Sequence, residues 1–493
     1  MTNVSAIHDE KLELEPNSNR DLYREGNAFL DRGRYEEAIA SYDKALEQEP
    51  ADYWVWYNRG IALDELNRHE EAAASFGKAL ELRPDDYWAT YQRGEAYRHA
   101  RCYEDALASY NRAVELRPKD YWAWYKRGCV ALYDLHRHED ALTSFEKAIE
   151  NRWWDYWAYY RRSETLHQMG RYEEALVSYS EVLEMRPNDA AGWYNRAQLL
   201  DDLGRHEDAL VSYDCALDIN PEITEAWYLR GLALGNLGSY GKAIASFEKV
   251  LELQPNHPEA LLNRAITLDE LECPEESLAG FDQLLTIQPD NPEAWFNRGI
   301  ALGHLGRHEE AIASYEHALK WQPNYPEAWN NRGMAFDELG RYEAAIASYD
   351  QALARRPDYA RALNNRGIAL AKLGCADDAI ASYDQALKCP PDYPEAWTWN
   401  NRAQALRQLG RIEDALASYD QSMEIEPEEP DTWYGQACCY ALQGNVQQAI
   451  EKLEQAILID PDQYRHLAGN TSDFDSIRSS EQFQALIAGK SHH

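Results

Sequence analysis

Residues 324–357 read NYPEAWNNRGMAFDELGRYEAAIASYDQALARRP. Trp329, Gly333 and Phe336 fall at helical spacing, Gly340 interrupts the period, and Ala345, Ile346, Tyr349, Ala352 and Leu353 resume it until Pro357 closes the segment. This pattern predicts two amphipathic helices joined by a tight turn. Neither helix can bury its apolar face alone, so the unit is stable only when copies stack and share a core.

The chain holds thirteen such copies, starting at residues 19, 53, 87, 121, 156, 190, 224, 258, 292, 326, 360, 394 and 430. Trp329, Gly333, Phe336, Ala345, Tyr349, Ala352 and Pro357 stand where the tetratricopeptide repeat has its W, G, Y, A, F, A and P, and residues 19–463 resemble that family in phase. The resemblance implies an all-α fold, a right-handed α-solenoid superhelix of stacked antiparallel helix pairs whose first helices (A) line the concave face. Residues 1–18 are polar, lack apolar spacing and are expected to form a mobile arm. Residues 464–493 are expected to supply a capping helix and tail, with Phe483, Leu486 and Ile487 on one face and Ser479 with Gln482 as a capping box.

Of the 493 residues 85 are acidic and 49 basic, a formal charge of −36. Such a surface repels nucleic acid and anionic lipid at long range and favours a neutral or basic protein or peptide partner. No stretch approaches the roughly 20 apolar residues of a membrane span, and the opening segment lacks a secretory pattern, so a cytoplasmic protein without membrane insertion is expected. The eight cysteines are scattered without a CxxC pair, and His136 and His138 point to different faces of a helix. Neither a metal nor another cofactor is expected. The sequence has no glycine-rich phosphate loop, HExxH or nucleophile elbow, which argues against an enzyme. A non-catalytic scaffold holding an extended peptide or partner helix in the concave groove is the leading expectation. A self-assembling structural protein or a glycan-related enzyme subunit is the alternative, and the oligomeric state stays open.

Counting from the start of each repeat, positions 4, 8 and 11 of helix A form the core stripe, and positions 2, 5, 6, 9 and 13 lie opposite, free of core duty. Position 2 is Trp in four successive repeats, Trp54, Trp88, Trp122 and Trp157. Position 5 is Tyr in seven, including Tyr57, Tyr91, Tyr125 and Tyr160. These rings either line a groove suited to stacking or pack on neighbouring helices. Lys126 and Arg161, at position 6, add positive charge among them. In repeats two, six and eight to twelve position 6 is asparagine, Asn58, Asn195, Asn263, Asn297, Asn331, Asn365 and Asn401, while Gln92 and Leu229 also break the row in repeats three and seven. An amide can both donate and accept, so a row of them suits the backbone of an extended chain, as in the asparagine ladder of some tetratricopeptide superhelices; local hydrogen bonding is the other reading. In repeats ten to twelve position 5 is also asparagine (Asn330, Asn364, Asn400), which predicts a more polar surface there. The family's two-carboxylate clamp is not matched, because Tyr23, Tyr91 and Glu95 stand where it needs basic groups.

Arg at position 7, from Arg59 to Arg402, is expected to pack its stem and pair its head with an acid of a neighbouring helix. Acid pairs near the end of helix A, such as Asp64 with Glu65 and Asp337 with Glu338, oppose the helix dipole; either a partner or the nearby Arg68, Arg205 and Arg341 would balance them. Repeat four carries one extra residue between Gly128 and Ala141, read as a π-bulge or a longer turn, and Trp153 replaces its closing proline. Repeat twelve has two extra residues around Trp397 to Trp399, which are expected to lengthen the preceding loop or the start of its first helix.

Overall fold

The computed structural model describes residues 18–390 and 395–489, and these form 28 α-helices, one π-helical turn and one 3₁₀ turn, with no strand among the described residues. The arm expected at the N-terminus lies outside them, apart from Ser18, which caps the first helix. So do the histidines of the tail. The array divides into two compact units, Met1–Leu237 and Gly238–His493.

In both units helix A commonly runs 13 residues and helix B 14, as in Pro326–Glu338 and Tyr342–Arg355. Gly333 is required because a Cβ there would stand 2.5 Å from Cε1 of the buried Tyr349 ring. Gly340 turns the chain at φ 68°, a conformation that costs other residues about 1 kcal/mol or more. The pairing of Trp with Pro in the motif also has a cause. The Trp329 indole donates to the Pro323 carbonyl at 3.3 Å, and Trp56, Trp124, Trp193, Trp227, Trp295 and Trp433 do the same to the proline six residues earlier. One side chain thereby satisfies a carbonyl left open between repeats.

Most position-7 arginines pair as expected, but Arg93 and Arg196 bond only Ser109 and Ser212 of helix B, because Gly77 and Ser180 stand where an acid is otherwise placed. Arg59 donates to Asp43 of the preceding repeat and to Ser75 of its own helix B, both at 2.7 Å, and Arg298, Arg366 and Arg402 repeat this pattern. The extra residue of repeat four is absorbed as a π-helical turn, Val130–Asp134, directly after Tyr121–Cys129. In repeat twelve helix A starts at Glu395 and runs 14 residues, while the preceding helix B stops early at Ala386.

At the C-terminal end a further helix, Pro461–Asn470, runs across the boundary placed at residue 463. The final helix, Glu481–Ile487, is capped by Ser480 without a side-chain hydrogen bond, so the expected capping box of Ser479 and Gln482 does not form. Phe474, Ile477 and Phe483 are buried against the last repeat, where they join Ala437, Leu453 and Ile457 in one apolar cluster. No described helix is long and apolar enough to cross a membrane.

Candidate functional site

Repeats two to five open with Asp-Tyr-Trp, and each residue has a separate task. Asp52, Asp86, Asp120 and Asp155 are N-caps whose carboxylates accept backbone N–H groups of the first turn. The tyrosine that follows is buried and reaches forward: Tyr121 donates to Asp155 at 2.7 Å and Tyr156 donates to Asp189, while burial and the nearby carboxylates of Asp86 and Asp120 raise the Tyr53 and Tyr87 phenols above their ordinary value. The third residue is left outside. Trp54, Trp88, Trp122 and Trp157 are 50, 53, 49 and 48% exposed, so about half of each indole faces solvent.

These indoles are held in place. Arg83, Arg117 and Arg152, at the ends of the B helices, stack on Tyr53, Tyr87 and Tyr121 at 4.2 to 4.4 Å and reach Trp54, Trp88 and Trp122 at 5.3 to 5.7 Å. On another edge Trp54 and Trp122 meet Tyr57 and Tyr125 edge to face. A ring ordered in this way loses little conformational freedom when a ligand covers it.

The position-5 tyrosines are mainly packing groups. Tyr57, Tyr91, Tyr125 and Tyr160 lie half-buried across Phe76, Tyr110, Phe145 and Tyr179, at ring separations of 5.6 to 6.1 Å. The positive charge expected from Lys126 and Arg161 is already matched. Lys126 bonds Glu95 at 3.1 Å, and Arg161 bonds Glu164 at 2.9 Å while donating to the Tyr133 hydroxyl supplied by the π-turn. Burial raises the Glu95 carboxyl, but the Tyr110 hydroxyl, Lys126 and Arg98 outweigh it and hold the group below its ordinary value. A surface cavity of about 550 Å³ opens beside Tyr160, Arg161, Glu164, His167 and Asn195.

The asparagines spend part of their amide internally. Asn58 donates to Tyr23 and Asn27, Asn195 to the Tyr160 hydroxyl, and Asn263 and Asn297 to backbone carbonyls four residues back. Asn331 accepts from Asn330, Asn365 donates to Asn330, and Asn401 donates to Asn364, each at 3.2 Å. Asn330 and Asn364 are fully buried, so the more polar surface expected from them is absent: they link adjacent A helices instead. A ligand meets at position 6 amides that are already partly engaged, with no second row behind them at Asn330 and Asn364.

Tetratricopeptide repeat models match residues 23–156, 190–257, 290–358, 330–394 and 394–462, and a TPR repeat model matches 164–204. The chain belongs to the tetratricopeptide repeat family. No curated protein matches it significantly. Similar solved structures include the APC/C hetero-tetramer Cut9-Hcn1, at 17% identity over 92% of this chain and 96% of that one, with a TM-score of 0.41. YrrB, described as a TPR protein with an unusual peptide-binding site, is 26% identical over 38% of this chain and 95% of its own, at a TM-score of 0.34. MamA from Desulfovibrio magneticus RS-1 is 22% identical over 34% and 96%, at 0.34.

Against the tetratricopeptide pattern, two surface features escape a reading by position alone. Trp153 and Trp154 fill the linker where the motif has proline, are 69 and 62% exposed, and meet edge to face at 5.7 Å. The missing proline was their only signal. The acid pairs are balanced by residues other than the expected arginines: Asp64 meets His69, Asp201 meets His206, Asp269 meets His304 and Asp337 meets Lys372. Arg68, Arg205 and Arg341 instead pair with Glu71, Asp208 and Glu309. All eight cysteines are free thiols, and burial pushes Cys129 up to about 11 and Cys439 up to about 12, which leaves both unreactive at neutral pH.

Proposed function

We propose that this tetratricopeptide protein is a non-catalytic scaffold that holds an extended peptide or a partner helix along the A helices of its first unit. Trp54, Trp88, Trp122 and Trp157 are the anchors, and the amide carbonyls of Asn58 and Asn195 add backbone contacts as acceptors. The observation that carries this reading is the half-exposure of four indoles at one position of four successive repeats, each fixed by neighbouring rings or an arginine. Exposed, ordered tryptophans are the side chains most often found to dominate protein interfaces. With a formal charge of −36, a neutral or basic partner is favoured, and nucleic acid is not.

Selection of a random peptide library on the immobilised full chain tests this. Enriched peptides should carry prolines, aliphatic or aromatic residues and few acids, and should lose the Trp88→Ala, Trp122→Ala double variant while its circular dichroism stays that of the parent. Equal retention of the enriched peptides by parent and variant would remove the aromatic tier from the account.

A further inference from the structure

Away from the tryptophans, three side chains with metal-binding atoms converge. Asp64 lies near the end of helix A of repeat two, His69 begins helix B of the same repeat, and His99 ends helix A of repeat three. Asp64 Oδ1 stands 2.7 Å from His69 Nδ1 and 3.6 Å from His99 Nδ1, and the three donor atoms all lie within 4.8 Å of one another. Tetrahedral coordination with bonds of about 2.0–2.1 Å places ligand atoms roughly 3.3 Å apart, so the set reaches that geometry by side-chain adjustment alone. The three side chains are 27, 20 and 37% exposed, which leaves a path for an ion, and a shallow concavity of about 300 Å³ lined by Asn67, Glu70, Ala100 and the Arg68–Glu71 ion pair adjoins His69.

We propose that Asp64, His69 and His99 bind one divalent transition-metal ion of the zinc type. Two imidazoles and a carboxylate are the donors such ions prefer over calcium or magnesium, and three protein ligands leave a fourth position for water or a partner's side chain. The ion would join repeats two and three, the repeats that carry Trp54 and Trp88.

The rest of the array separates this set from ordinary acid balancing. His206 pairs with Asp201 at 3.0 Å with Asn236 at the place of the second imidazole, and His304 pairs with Asp269 at 3.2 Å with Pro274 at the place of His69. One histidine therefore suffices to hold the acid, and among the described residues only Asp64 has two imidazoles on one carboxylate. One neighbour opposes the ion: Arg98 lies 2.9 Å from His99 Nε2, where it donates to that nitrogen. Coordination through Nδ1 puts the proton on Nε2, so Arg98 has to turn toward Glu95, already its ion-pair partner at 3.1 Å.

Calorimetric titration of the chelator-treated full chain with zinc chloride, and the visible spectrum with cobalt(II) chloride, test the site in a background where His492 and His493 are replaced by alanine. One equivalent should bind, with tetrahedral cobalt bands. His69→Ala with His99→Ala should weaken binding at least tenfold, His206→Ala should leave it unchanged, and Arg98→Ala should tighten it severalfold. No binding by the parent overturns the proposal. So does binding that survives the double variant, or a loss in His206→Ala as large as in that variant.

Discussion

The helix starts of the two units solve the same problem with different residues. In the first unit, repeats two to five open with an aspartate cap, a buried tyrosine and an exposed tryptophan, over an arginine at the end of helix B. In the second, repeats eight to ten open with Pro-Glu, as at Pro258-Glu259, Pro292-Glu293 and Pro326-Glu327, and Gln254, Gln288 and Gln322 end the helices before repeats eight to ten. Proline at the first helical position fixes φ and sacrifices an N–H that the helix leaves unbonded anyway. Both starts nucleate a 13-residue helix. The tryptophans are therefore surplus to folding.

The largest effect should come from removing the surplus. Each anchor tryptophan is expected to be worth about 2 kcal/mol or more, so Trp88→Ala with Trp122→Ala should weaken a selected peptide several hundredfold by fluorescence anisotropy. Glu293→Ala with Glu327→Ala, the matching change in the second unit, should leave the affinity almost untouched. A larger loss in the second pair would reverse the assignment of the two faces.

Next in size is Glu95→Gln, which leaves Lys126 and Arg98 facing a neutral amide and should cost on the order of 2 kcal/mol in urea unfolding of the first unit. Because the folded state lowers the Glu95 pKa, the stabilisation is complete above the ordinary carboxylate range and is lost as the pH falls through the lowered value. Parent and variant should thus converge in acid, and a gap that widens there would refute the pairing.

Tyr121→Phe removes the hydrogen bond to Asp155 and should cost about 1 kcal/mol, seen as faster amide exchange at the start of helix Tyr156–Gln168. The second unit's Pro-Glu starts have no hydroxyl to lose at that position. A turn differs as well: Arg101 holds φ 61° where repeat ten has Gly340, so Arg101→Gly should stabilise by up to about 1 kcal/mol. The smallest change is Arg117→Gln, which installs the second unit's residue beneath Trp88 and should cost about 0.5 kcal/mol. Its sign is checked by the urea midpoint.

Much of this was legible in the sequence because a repeat reports its own register. The extra residue after Gly128 signalled either a π-turn or a longer turn, of which the chain takes the first, and position 2 announced the exposed tryptophans because it lies opposite the core stripe. Contacts between repeats were harder to read. Lys126 finds Glu95 31 residues away, so its charge looked free along the chain although it is matched in space. Asn330 and Asn364 stand where other repeats place aromatic rings, and they are buried because the asparagine of the following repeat offers each a polar partner. Asp64, His69 and His99 are 5 and 30 residues apart, spacings that match no metal motif.

The bond from Tyr121 to Asp155 joins a residue type and a cap that every Asp-Tyr-Trp unit also carries. Removing one entire unit, such as residues 86–119, would bring Tyr53 to Asp120 and restore the same joint, and inserting a unit would simply add another. The tier is thus a ruler with interchangeable divisions. Its reach can change in whole repeats without a new contact having to be invented.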